Sequence, residues 1–446
     1  MVKKYSLVIS IALLIVGVIF QTLPFYLYTP LPSIFSDSFD YFWVAKQIYD
    51  GNIPVTGFGE ILPIGYPLFL AGTKVFSLSW KGITVVHLVA YTLASAYLCY
   101  AAHQHNRKTT ILVALACLLY LNIPSTLNYT FSLYTESLYT SSMIFLAGAI
   151  LHFGKNKSLV AFLFLCLSAY WSTLLRSNGI ALFGLPILLI LITIFQKTER
   201  KLILKYAGIL VLCFLLNASG NKIVKGKFLF GDLTRFTSVV VEGNYINKKM
   251  NSEPKFTMYQ KYLSNFSKRG NSYYYFVQEL HYNRIVRDSL FAHRDIKFCD
   301  GSKKMNDVPG LQNFVFEGMP QLDQDFRANF KSFVNLQQRK SLWMKMVSQV
   351  YQYLNLISFF SMFLFLFWIL LVTNTMRFFT GSKELLYPLL VALIYLIPII
   401  ILPLVHPNFH RRYIAVSEFA VLIYIALSFQ NTYTFLKNKF MKAVSK

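Results

Sequence analysis

Two carboxylates three positions apart, Asp37 and Asp40, follow the first apolar run of the chain, in the stretch SDSFDYFWVAKQIYDG (36–51). A carboxylate held at a water–lipid boundary beside cationic groups can act as a general base on a hydroxyl. Further on, YTES carries Glu136, LLRSNG carries Arg176 and Asn178, and HPNFHRRY carries His406, His410, Arg411, Arg412 and Tyr413. Two histidines, two arginines and a tyrosine in eight residues would suit a phosphate, because guanidinium groups form paired charge-assisted hydrogen bonds to its oxygens. Each group also has a plain reading. Ser36 or Asp37 can cap a helix. Glu136 can head one, where the dipole favours an acid. Arg176 can form a structural ion pair, and HPNFHRRY can be a basic interfacial turn.

These residues are embedded in a membrane chain. Hydrophobic residues make up 55% of the sequence and charged residues 14%, too few to cover the surface of a soluble protein of 446 residues. Several apolar runs reach the roughly 20 residues that cross the hydrocarbon layer as a helix. They are continuous rather than alternating, so the expectation is an all-α polytopic protein and not a barrel. The net charge of +24 is what cytoplasmic loops and anionic lipid ask for, and so apolar a chain excludes a nucleic-acid partner. Of the five cysteines, four fall in apolar runs and no two have metal-site spacing, which argues against a disulfide framework or a zinc site.

The start, MVKKYSLVISIALLIVGVIF, lacks a small-residue cleavage site and reads as a retained first helix. Further spans are expected near 82–102, 109–123, 137–153, 158–175, 179–195, 202–217, 346–372, 385–405 and 413–430, giving about ten with both termini inside. LFLAGTKVFSLS is too short to cross and reads as an interfacial or re-entrant helix. With this topology the inner segments hold fifteen Lys and Arg, against four at Lys46, Arg176, Arg411 and Arg412 in the short outer ones, with Lys74 and Lys81 besides around the short outer helix. The outer face then collects Asp37, Asp40, Glu60, Tyr66, Glu136, Arg176, Asn178 and the HPNFHRRY turn. Phe39, Phe42, Trp43, Ala45 and Ile48 recur at roughly helical spacing, so 36–51 reads as an amphipathic helix on the membrane surface.

Three regions follow: an N-terminal membrane module (1–217) with its first outer loop (29–80), a polar region (218–345) and a C-terminal membrane module (346–446). The polar region holds 21 Lys/Arg and 11 Asp/Glu with many aromatics, and reads as a mostly helical extracytoplasmic insert.

DSFDYFWVAKQIYDG followed by LPIGYPLFLAG resembles the first outer loop of GT-C glycosyltransferases, such as the polyprenyl-phosphate-sugar mannosyltransferase-like proteins and the lipid A aminoarabinose transferase. Asp37, Tyr41, Ala45, Gly51, Tyr66 and Pro67 match its pattern in order. YTESLYTSSMIF, LLRSNGIALFGLPILL and the late HRRY are similar to other stretches of that family. The chain departs from the larger members in carrying its polar region between spans rather than at the C-terminus.

The resemblance implies a GT-C fold and transfer of a sugar from a polyprenyl-phosphate donor to a lipid-linked or cell-envelope glycan acceptor, such as lipopolysaccharide, on the extracytoplasmic side of a bacterial inner membrane. It implies Asp37 as base, with Asp40 as a second or acceptor-positioning acid. Glu136 would orient sugar or acceptor, and Arg176, His410, Arg411 and Arg412 would face the phosphate. Tyr41, Tyr66, Asn178, His406 and Tyr413 complete the expected substrate contacts. No metal is required, although two nearby aspartates leave room for Mg or Mn. The competing classes are a flippase or transporter of a lipid-linked glycan, which would need charges within its spans and inverted repeats, and an O-antigen ligase or polymerase, which also carries a large outer loop.

Overall fold

The structure, a computed structural model, describes residues 2–28, 36–55, 63–196, 200–226, 228, 360–405, 415–429 and 432. Nearly all of the polar insert therefore lies outside the described residues.

The described chain is helical: α1 (Val2–Tyr28), α2 (Ser36–Tyr49), α3 (Gly65–Val75), α4 (Trp80–His105), α5 (Thr110–Leu121), α6 (Pro124–Thr130), α7 (Thr135–Asn156), α8 (Leu159–Leu175), a 3-10 segment (Ser177–Phe183), α9 (Gly184–Phe195), α10 (Arg200–Lys225), α11 (Phe360–Phe379), α12 (Leu386–Val405) and α13 (Phe419–Phe429). Five of the described helices are long and apolar enough to cross a membrane: α1, α4, α7, α10 and α11. Shorter apolar helices accompany them at α5, α8, α9 and α13. The chain is a multi-pass membrane protein.

Local signals set the ends. The Ser79 hydroxyl accepts from Gly82 N at 3.1 Å to cap α4, and that of Ser158 accepts from Ala161 N at 3.2 Å to cap α8. Pro124 opens α6, where its missing N–H costs nothing.

α7 is the central helix, buried along most of its length against α4 on one side and α8 on another, with α12 behind it. α1, α10 and α11 stand outside and present large apolar side chains such as Phe20, Leu204 and Phe365, the surface that lipid would cover. The short link at Lys157 and Ser158 makes α7 and α8 antiparallel neighbours. A hydroxyl pair, Ser142 to Ser172 at 2.7 Å, ties their seam.

Two elements differ from the sequence expectation. α10 continues to Lys225, eight residues beyond 217, because Asn217, Asn221 and Lys225 fall on one helical row that is buried rather than solvated. The segment expected to lie on the membrane surface is a helix, but its buried side spans two rows, Tyr41 with Ala45 and Val44 with half-buried Ile48, and Phe42 is buried beside them. α2 packs against α3, so its apolar side faces protein.

Candidate functional site

The site begins with chain direction. Because α7 and α8 are antiparallel, the N-terminus of α7 and the C-terminus of α8 lie at the same end of the bundle. An acid is favoured at the first and a base at the second. Glu136 sits in the first turn of α7, and Arg176 caps α8. Arg176 Nη1 donates to Glu136 Oε1 at 2.6 Å, and Thr135 Oγ1 donates to Oε2 at 3.2 Å. The glutamate side chain is fully buried and the arginine side chain is 11% exposed. The guanidinium also stands 5.7 Å from the centre of the Tyr139 ring, one turn along α7.

Aromatic rings build the adjoining wall. Tyr41 of α2 meets Tyr66 edge-on at 5.3 Å and Tyr134 at 6.4 Å. Tyr66 lies 6.0 Å from the His87 ring, and Phe69 lies against both. The Tyr66 hydroxyl is buried with no hydrogen-bond partner among the described residues. Burial pushes its pKa well above the usual tyrosine value, and the neighbouring Tyr41 hydroxyl and Glu136 carboxylate push it further the same way, so it stays protonated.

Close backbone approach holds the wall against the ion pair. A Cβ on Gly65 would lie 2.7 Å from the carbonyl of Leu174, two residues before Arg176. Val55 N donates to Val224 O at 2.8 Å, pinning the loop after α2 to the end of α10. Val44, Val55, Ile64, Leu174 and Val224 form a small separate core beneath this junction. After Arg176 the chain turns back so tightly that a Cβ on Gly179 would lie 2.2 Å from Ser172 O. That contact is with backbone, which a side-chain rotation cannot relieve. Gly179→Ala is therefore expected to cost about 1–3 kcal/mol as an overpacking change, read as a lower thermal midpoint of the purified protein. An unchanged midpoint would contradict this packing.

Of the residues expected at the site, Tyr41, Tyr66, Glu136 and Arg176 are brought together. Asp37 and Asp40 fall in the first two turns of α2 and Asn178 in the 3-10 segment, but their side chains lie outside the described residues. Glu60, His406, His410, Arg411, Arg412 and Tyr413 lie outside them entirely. Among the described residues no three His, Cys, Asp or Glu side chains could hold a metal ion.

The sequence reading missed several buried polar groups: His87, Tyr139, Lys225 and Glu418. Signals for two of them were present. Glu418 is an acid inside an otherwise apolar final run, which by itself marks a position of interest. Asn217, Asn221 and Lys225 recur every four residues, the spacing of one helix face. Nothing in the local sequence distinguishes Tyr139 from a core tyrosine.

No protein-family model and no curated protein matches the sequence. The fold is similar to that of the archaeal oligosaccharyltransferase AglB from Archaeoglobus fulgidus, solved in complex with an inhibitory peptide and a dolichol-phosphate: the TM-score is 0.50 at 11% identity, covering 100% of this chain and 52% of that one. Another Archaeoglobus fulgidus oligosaccharyltransferase structure, a complex with Zn and sulfate, gives a TM-score of 0.42 at 11% identity, covering 97% of this chain and 50% of that one. The chain thus spans about half the length of these proteins. The likeness is one of fold, and it agrees with the all-α polytopic architecture expected from the sequence.

Proposed function

We propose that the chain is a GT-C glycosyltransferase that moves a sugar from a polyprenyl-phosphate donor to a lipid-linked or cell-envelope glycan acceptor. It works on the extracytoplasmic face of a bacterial inner membrane, with both termini cytoplasmic. The observation that carries this reading is the buried Glu136–Arg176 pair, walled by Tyr41 and Tyr66 at the end of the bundle reached by α2. The fold likeness to an oligosaccharyltransferase solved with a dolichol-phosphate supports a lipid-phosphate donor.

The proposed chemistry is an inverting displacement. The Asp37 carboxylate takes the proton of an acceptor hydroxyl as its oxygen attacks the anomeric carbon. The bond from that carbon to the phosphate oxygen breaks, and the polyprenyl phosphate leaves. Asp40 positions the acceptor. Preplaced cations stabilise the leaving phosphate, and His406, His410, Arg411, Arg412 and Tyr413 supply them and its hydrogen bonds, with Asn178 nearby. Glu136, Tyr41 and Tyr66 orient the sugar, with Arg176 holding Glu136 and facing the donor. A Mg or Mn ion near Asp37 and Asp40 would add to the same charge stabilisation.

Helix register favours Asp37 over Asp40 as the base. Asp37 lies one turn ahead of Tyr41, whose ring meets Tyr66 and Tyr134, whereas Asp40 lies one turn ahead of Val44, which is buried in the small core. The test is a transfer assay in membranes containing the full chain and a radiolabelled polyprenyl-phosphate sugar. Label is expected to move to a glycan acceptor. Faster movement of the labelled lipid between leaflets, without transfer, would replace this reading by that of a flippase.

A further inference from the structure

Three polar atoms around the ion pair are buried and have no hydrogen-bond partner among the described residues: Tyr66 Oη, His87 Nε2 and Tyr139 Oη. Each belongs to a residue with no exposed surface or almost none. Burying such a group unpaired costs free energy that folding alone gives no reason to spend, and one in isolation would be unremarkable. Here the three are joined by successive contacts: the His87 ring against Tyr66 at 6.0 Å, Tyr66 within electrostatic reach of Glu136, Glu136 bonded to Arg176, and Arg176 over the Tyr139 ring.

Their hydrogen-bonding senses are also determined. His87 Nδ1 lies 3.3 Å from Thr130 O. A carbonyl only accepts, so Nδ1 carries the proton, and in the neutral ring Nε2 is a bare acceptor. The Tyr66 hydroxyl is protonated and can donate, as can the hydroxyl of Tyr139. Arg176 and Glu136 neutralise one another, so the group of five has no net charge with which to hold a phosphate. A ligand that matches it is neutral and carries hydroxyls, each able both to donate and to accept.

We infer that Tyr66, His87 and Tyr139 form a hydroxyl-recognition subsite that holds the sugar ring of the donor, separate from the groups that hold its phosphate. This rests on the donor reading above and assigns His87 and Tyr139 a specificity role. His87 takes a hydrogen bond from a sugar hydroxyl, and the two tyrosines give hydrogen bonds to others.

The test uses the full chain in phosphatidylcholine nanodiscs, free of sugar detergents, with two probes: farnesyl phosphate and farnesyl phosphate carrying a hexose, the latter drawn from a panel differing at single hydroxyls. Wild-type protein is expected to bind at least one hexose-bearing probe more tightly than farnesyl phosphate. Tyr66→Phe and Tyr139→Phe should each reduce that advantage about five- to tenfold, the size of one or so neutral hydrogen bonds. Affinity for farnesyl phosphate should stay the same.

Both variants should also unfold no more easily than wild type, since the hydroxyls they remove have no partner among the described residues to lose. An advantage that survives in both variants, or is absent from the whole panel in wild type, overturns the subsite and leaves the donor reading standing. Variants that are less stable but bind both probes as before mark a structural water network instead. If neither probe binds wild-type protein, the donor reading fails and takes the subsite with it.

Discussion

Asp37→Asn is expected to lower sugar transfer about 100- to 10,000-fold, the range typical of removing a positioned general base. Asparagine keeps the size and can still cap the helix, so the substitution removes proton acceptance and little else. Asp37 lies in the first turn of α2, where loss of a cap altogether would cost only about 1 kcal/mol. The fold should therefore remain, and a thermal midpoint within a few degrees of wild type is the control. Asp40→Asn is expected to cost less, because its helical row runs to Val44 and the small core, while that of Asp37 runs to Tyr41 and the tyrosine wall. Initial rates of label transfer at saturating donor would compare the two. Equal rates for Asp37→Asn and wild type would remove Asp37 as the base, and a larger loss at Asp40 would exchange their roles.

Arg176→Leu is expected to destabilise the protein by about 3–5 kcal/mol, the usual cost of stranding one member of a buried ion pair. The Glu136 side chain is fully buried, so removing Arg176 leaves a buried carboxylate whose remaining hydrogen bond among the described residues is from the Thr135 hydroxyl at 3.2 Å. The pair as a whole need not be strongly stabilising, since both charges had to leave water to form it. Adding Glu136→Gln to Arg176→Leu should therefore recover much of the loss. Thermal denaturation of wild type and the two variants in one detergent would read this directly. A single variant as stable as wild type would mean that Glu136 is hydrated after all. Activity should fall in both, including the stabilised double variant, if the pair also serves the sugar.

Much of the outer loop was legible because its signals are local. The run from Ser36 to Tyr49 is a helix with Asp37 at its head, and LFLAGTKV does form a short helix, α3, of 11 residues, about half of what a crossing needs. Less legible was which side of α2 matters. Its apolar residues occur on more than one row, and only docking against α3 selects Tyr41, Val44 and Ala45 for burial. The end of α10 was misread for a related reason. Asn217, Asn221 and Lys225 look like the start of a polar loop until a protein surface covers their row.

The sequence by itself determined the class of protein, the positions of most helices and the expectation of a GT-C fold, because apolar length, helix caps and charge distribution are properties of neighbouring residues. Only the tertiary structure decided that Glu136 meets Arg176, 40 positions away, that Tyr66 is buried between Tyr41 and His87, and that Gly65 and Gly179 have no room for a side chain. Those facts depend on which helix ends lie side by side and how closely their backbones approach. Packing between distant segments decides both, and no periodicity along the chain records it.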